Sequence, residues 1–398
     1  MKYPGNRLLF FIKNHNPLDF FIFSDHIIKT LIFQWVLLFQ QESIMQKTFN
    51  GSVGKLCFSE PELYVDNQTR GRSGHMSHAM VEYAPGKIID FNSNCAAGRC
   101  RGHSAFGWIE YRYSEDYGKT WGEIHELAYS KDEFYNGIYT ISIEKAVICN
   151  GIITLFALRN TQSSVICCEP WDTPFYLQSH DFGKTWTKPQ EFSPYKGRIY
   201  DAVVKDGVIY AMELCNENHI CSAPEHLYRL YCSTDNGKTF QEKSIIDINN
   251  FDHAYGALQF LDDGSLAAYA CNIPNGFELD ISISKDNGSS WQRQPVVKMA
   301  KGIRNVQIGK LGKGYIMHGR GCHPDAQWGR GFAFYTSSDG LNWDEGFLLE
   351  EMKSSCYYSN NLLLREPGEP EKLLIQYSDR FDTETKRVNV RHMFLHFE

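Results

Sequence analysis

The eight residues Ser114-Glu-Asp-Tyr-Gly-Lys-Thr-Trp121 recur along the chain as Ser179 to Trp186, Ser233 to Phe240, Ser284 to Trp291 and, one residue shorter, Ser337 to Trp343. Successive copies start 51 to 65 residues apart. Self-similarity at such a period marks an architecture built from one small unit repeated around a ring or along a stack. In the four full copies an Asp stands two residues before a Gly, which predicts a tight reversal. The carboxylate accepts from nearby amides and the glycine takes a positive φ. The terminal aromatic is expected to tuck the turn against its own sheet, so the Ser and Asp serve the fold and not the chemistry.

Upstream of the repeats, Pro85-Gly86, Asn150-Gly151, Asp206-Gly207, Asp263-Gly264 and Gly312 to Gly314 each separate two apolar, β-like runs. Each unit therefore reads as strand, turn, strand, longer loop, strand, boxed turn, strand. The expected fold class is all-β: a six-bladed β-propeller of four-stranded antiparallel blades, five of them carrying the boxed hairpin. A sixth unit without a box runs through Tyr358 to Leu364, Lys372 to Tyr377 and Val388 to Phe397. Leu56 to Val65 is expected to supply its outer strand and close the ring, which removes free sheet edges. From residue 50 onward this gives about 58 residues per blade, a normal propeller value.

Residues 1–44 contain no repeat and are expected to be an extension of the propeller domain at 45–398, with Met45 as its effective start. Leu31 to Phe39 is apolar but too short for a membrane span, and the following QQESIMQK lacks a small-residue cleavage pattern. A net charge of −7 without Lys/Arg runs argues against nucleic acid as partner, while one basic pocket would suffice for an anionic sugar. The 26 Phe, 22 Tyr and 8 Trp suit both sheets and carbohydrate-facing clefts. Twelve cysteines include no C-x-x-C pair, so no metal site or cofactor is legible. Apolar surroundings at Cys149 and Cys271 point to reduced thiols and a cytoplasmic setting; a signal function for the N-terminal apolar run would instead imply secretion or the periplasm. Nothing in the sequence fixes the oligomeric state.

Repeated S-x-D-x-G-x-T-W boxes on six blades resemble the sialidase (neuraminidase) superfamily, over everything after about residue 50. The resemblance implies a glycoside hydrolase acting on a terminal acidic sugar, with a tyrosine nucleophile on the last inner strand. Cys356-Tyr357-Tyr358-Ser359, followed by Leu373 to Tyr377, places Tyr358 there. Arg330, just before the box at Ser337, matches the third of three carboxylate-binding arginines of the superfamily. The chain departs from the pattern elsewhere. Gly74 to His78 carries no arginine motif, Cys271-Asn272 has no arginine nearby, Tyr255 to Gln259 holds no glutamate, and Asn92 to His103 holds no aspartate. Arg304 and Arg320 are the nearest substitutes, with His323, Arg99, Arg101 and Arg159 behind them.

The inner-strand starts read His75 and His78, Tyr139 and Ser142, Tyr200 and Asp201, His253 and Tyr255, Arg304 and Asn305, then Tyr358 and Asn360. Such a polar, aromatic ring at a propeller axis is expected to form a binding site. Tyr358, Asp201 and His103 are the catalytic candidates; Arg330, Arg304, Arg320, His75, His78, Tyr255 and His253 are the candidates for holding substrate. Glu144 and Glu213 are further carboxylates. A polysaccharide lyase on uronate glycans, using Tyr, His and Arg, and a propeller that only binds glycans are the competing functions.

Overall fold

The computed structural model describes residues 47–74, 77–96, 106–162, 171–216, 226–324, 331–349, 358–382, 384 and 387–398. The sequence candidates His75, His103 and Arg330, as well as Arg99, Arg101 and the proposed extension 1–44, lie outside the described residues.

Six sheets form the six blades of a propeller. Their inner strands are His78–Ala84, Tyr139–Cys149, Gly197–Lys205, His253–Phe260, Gly302–Leu311 and Ser359–Leu364. Each packs against the next and the sixth against the first. Alternating small and branched residues let these strands crowd around the axis: Ala202, Ala254, Ala257, Ile141, Ile303 and Val306 are all buried. Among the described residues no helix is long and apolar enough to cross a membrane.

The boxed turns bond as the pattern predicts. Ser114 Oγ donates to Asp116 Oδ1 at 2.8 Å and accepts the Gly118 amide at 2.9 Å, while Asp116 takes the Thr120 amide at 2.8 Å and the Thr120 hydroxyl at 2.5 Å. Both residues ahead of the Lys are left-handed, Tyr117 at φ 61° and Gly118 at φ 80°.

One expectation is corrected. The terminal aromatic packs on the preceding blade and not on its own sheet. Trp186 of the second blade lies against Phe91 and Tyr111 of the first, Phe240 of the third against Phe156 and Tyr176 of the second, and Trp343 of the fifth against Tyr269 of the fourth. The backbone follows the same rule. Tyr111 Oη donates to the Gly183 carbonyl, Tyr176 Oη to that of Lys238, Ser244 Oγ to that of Gly288 and Tyr269 Oη to that of Gly340, at 2.6–3.2 Å. A hairpin joining the two outer strands of a twisted blade overhangs its neighbour, so the neighbour offers the apolar surface and the donors. Each box is thus a staple between blades.

The sixth blade has no box, and the chain's N-terminal hairpin takes its place. Lys55–Phe58 pairs with Leu395 to Phe397, and Glu62–Val65 pairs further along the same strand. The turn joining Lys47–Asn50 to Lys55–Phe58 docks on the fifth blade. There Ser52 donates its amide to Asp344 Oδ2 at 3.0 Å and its hydroxyl to the Thr336 carbonyl at 3.0 Å.

Candidate functional site

Four inner strands share one irregularity. Along Tyr139–Cys149 the pairing skips Glu144; along Gly197–Lys205 it skips Tyr200; along His253–Phe260 it skips Tyr255; along Gly302–Leu311 it skips Asn305 and Val306. These are β-bulges at equivalent places in the second to fifth blades. A bulge releases a residue from the alternation of faces and re-aims its side chain. Here all the released residues line one shared cavity, together with Ser77, His78, Tyr358 and Asn360 from the first and sixth blades.

Two of the bulges hold a left-handed residue. Asn305 sits at φ 56°, which asparagine tolerates, but Tyr255 sits at φ 59°, which a bulky side chain rarely adopts. Its conformation is held from both sides. The Tyr228 hydroxyl donates to the Tyr255 carbonyl at 3.1 Å, and Gly256 leaves space where a Cβ would lie 2.3 Å from Met212 Cε. Strain of this kind gathers at functional sites, where the surroundings over-determine it.

Behind the cavity lining lies Arg198, 1 % exposed on the third inner strand. Its guanidinium holds Glu144 through Nε to Oε2 at 3.1 Å and Nη2 to Oε1 at 2.7 Å, and Nη2 also reaches Ser77 Oγ at 3.3 Å. Its Cζ lies 5.3 Å from the Trp171 ring, 5.0 Å from Tyr200 and 5.8 Å from Tyr358. Tyr358 meets Tyr255 edge to face at 6.2 Å, and Tyr255 meets Tyr200 at 5.6 Å. Three phenols and one buried ion pair therefore form a continuous wall.

Burial dominates the protonation of this wall. It pushes the Tyr255 phenol well above its ordinary value, with Tyr358 and Tyr200 adding to the shift and Arg320 and Arg198 opposing it. Burial likewise raises the Glu144 carboxyl, and Arg198 pulls it partly back. Arg304 and Arg320 are directly paired across neighbouring strands of the fifth blade. Burial and the facing Arg320 hold Arg304 below its ordinary value. Two guanidinium groups side by side repel, and an anion placed between them relieves the repulsion.

Of the sequence candidates, Tyr358, Tyr255 and His78 come together at the cavity, and Arg304 and Arg320 stand beside Tyr255 in electrostatic reach. His78 is buried, with Nε2 2.8 Å from Ser378 Oγ, and burial lowers it to about 3, so it stays neutral near physiological pH. Asp201 does not reach the cavity. Its carboxylate takes Lys145 Nζ at 2.8 Å, the Leu258 amide at 2.8 Å and the Ala202 amide at 2.9 Å. Lys145 also reaches Gln307 Oε1 and Asn360 Oδ1, so this cluster ties together the second to sixth blades. His253 turns into the fourth blade, bonded to Asp280 Oδ2 at 2.6 Å and to the Phe251 carbonyl at 2.6 Å. Glu213 lies in the third blade, where burial raises its carboxyl to about 8 and the Ser193 hydroxyl donates to it at 2.8 Å. Arg159 binds Glu191 and Thr173 on the second blade. Among the described residues Glu144 is the one carboxylate lining the cavity.

Sequence reasoning passes over Arg198. The available signal is a single arginine within the otherwise apolar run Gly197-Arg-Ile-Tyr200 on a strand that faces the axis.

Many solved structures share the fold, three of which follow. A protein of unknown function from Dyadobacter fermentans aligns over 86 % of this chain and 99 % of its own, at 13 % identity and a TM-score of 0.65. The NanB sialidase from Streptococcus pneumoniae aligns over 84 % of this chain and 70 % of its own, at 11 % identity and 0.59. The intramolecular trans-sialidase from Ruminococcus gnavus aligns over 84 % and 97 %, at 11 % identity and 0.52. No curated protein matches the chain by sequence. Residues 59–368, from the strand segment that closes the ring through the inner strand of the sixth blade, match the family described as the BNR repeat-like domain. With its repeated boxes, six blades and axial cavity, the chain belongs to the BNR repeat-like family.

Proposed function

We propose that the protein is a glycoside hydrolase that removes a terminal acidic sugar from a glycan, with Tyr358 as nucleophile. The observation that carries this is the place of Tyr358. It is a buried phenol at the start of the last inner strand, lining a cavity beside the Arg198–Glu144 pair. A phenol meets a sugar carboxylate without the charge repulsion a carboxylate nucleophile would suffer. Arg304 and Arg320 supply the positive wall for the substrate anion, and Tyr200 and Tyr255 offer flat faces for the sugar ring.

The chemistry follows from these parts. The Tyr358 oxygen bonds to the anomeric carbon as its proton passes to a base, the bond to the leaving oxygen breaks, and that oxygen takes up a proton. Water then displaces tyrosine. Glu144, with its carboxyl raised by burial and held in place by Arg198, is the described group suited to exchange the phenol proton. His103 is the sequence candidate for the leaving-group proton. The fold shared with sialidases supports the architecture of this reading.

The test is incubation with a panel of sialosides and uronate-containing oligosaccharides, measuring released sugar and ultraviolet absorbance. Wild type is expected to release free acidic sugar, and Tyr358→Phe to lose at least about 100-fold in turnover with its fold intact by circular dichroism. Full turnover by that variant would overturn the mechanism. An unsaturated, ultraviolet-absorbing product would identify a lyase, and saturable binding without any product would identify a glycan-binding propeller.

A further inference from the structure

Away from the axis, at the outer edge of the sixth blade, Cys57, His396 and Glu398 stand together. Cys57 on Lys55–Phe58 is directly paired with His396 on Val388–Phe397. Glu398 follows two residues later and donates its amide to the Lys55 carbonyl at 3.0 Å, so the alternation of a strand places all three side chains on one face. Their thiol, imidazole and carboxylate ligand atoms lie within 4.8 Å of one another. Cys57 is buried, His396 half-buried and Glu398 exposed, so the sulfur forms the floor of the group and the carboxylate its rim. Lys55 Nζ contacts Glu398 Oε2 at 2.6 Å, which orients the carboxylate toward the strand pair.

We propose that these three residues bind one zinc ion, which clips the strand Lys55–Phe58 to the strand Val388–Phe397 where the propeller ring closes. The donor set selects the metal. A thiolate and an imidazole favour zinc over magnesium or calcium, which take oxygen ligands, and three protein ligands leave a fourth tetrahedral position for water. Tetrahedral bonds of about 2.0–2.3 Å bring ligand atoms to roughly 3.3–3.7 Å from one another. Glu398 and its ion-pair partner Lys55 are both exposed, so the carboxylate can shift toward the sulfur and the imidazole by that amount. On binding, the Cys57 thiol releases its proton to solvent and the sulfur bonds the metal, with no change of oxidation state. Sequence spacing gives no hint of the site because its residues come from opposite ends of the chain and meet only when the ring closes.

The reduced, chelator-washed full chain is titrated with Zn²⁺ and, as an optical probe, with Co²⁺. One equivalent of Zn²⁺ is expected to raise Tm by a few degrees, because a ligand that binds only the folded state stabilises it, and Mg²⁺ is expected to have no effect. Co²⁺ is expected to give a sulfur-to-metal charge-transfer band. Cys57→Ser, and His396→Gln and Glu398→Gln on the more exposed side of the group, are each expected to lose or sharply weaken both signals. The two latter variants carry the test if the buried serine prevents folding. Absence of a zinc-dependent shift in wild type, or a shift and band that persist in His396→Gln, would overturn the proposal. Neither result bears on the glycosidase reading.

Discussion

Arg198 and Glu144 show how one pair of residues can set the character of a site. Both are almost fully buried, on neighbouring inner strands, and each is tolerable only because the other neutralises it in good bidentate geometry. Removing one partner leaves an uncompensated buried charge. Arg198→Met is therefore expected to destabilise the fold by about 3–5 kcal/mol in urea denaturation, and the double variant Arg198→Met/Glu144→Leu to recover a large part of that loss. If the double variant is as unstable as the two single losses added, the pair is not coupled as described. The candidate site was half legible at this scale. Tyr358 is announced by its neighbouring serine and the following apolar strand, and Arg304 and Arg320 by their place in the fifth unit. The sequence singles out Asp201 and passes over Arg198, because what each side chain meets depends on the bulge between them and on the brace from Lys145.

The elements that position these residues are the boxed hairpin and the bulged strand. The box glycine meets two demands at once. Gly237 has φ +82°, and a Cβ there would lie 2.6 Å from Thr154 Oγ1 on the preceding blade. Gly207, in the plain hairpin of the same blade, has φ +76° but a nearest atom at 3.7 Å. The backbone penalty for an alanine is similar at both, about 1–2 kcal/mol. Gly237→Ala is expected to cost that and a further share for displaced packing, whereas Gly207→Ala costs the backbone share alone. Equal denaturation midpoints for the two variants would show that the box does not staple blades. Box turns are legible because Ser, Asp and Gly at fixed spacing dictate local hydrogen bonds. Bulges are not, since a bulge is a mismatch in count between two strands and neither strand shows it alone.

At the scale of the molecule, the ring is closed by the N-terminal hairpin, which gives the last strand its partner and stands where a sixth box would lie on the fifth blade. A chain starting at Ser59 lacks that hairpin. It would expose the Leu395 to Phe397 edge and leave Asp344 and Thr336 without Ser52. It is expected to unfold at lower denaturant and to form higher-order species in size-exclusion chromatography, because an open β edge recruits further strands. A monomeric product of unchanged midpoint would show closure to rest on the inner strands alone.

The sequence by itself determined the class, the number of blades and the closing segment, because periodic turns and alternating apolar runs are local instructions that each unit carries out independently. Tertiary structure decided what the units do to one another. It turned the box aromatics onto the preceding blade, set four bulges at one level of the axis, and brought Arg198 against Glu144 and Tyr358. Those outcomes depend on the twist and crowding of six sheets around a common axis, and no single repeat contains that information.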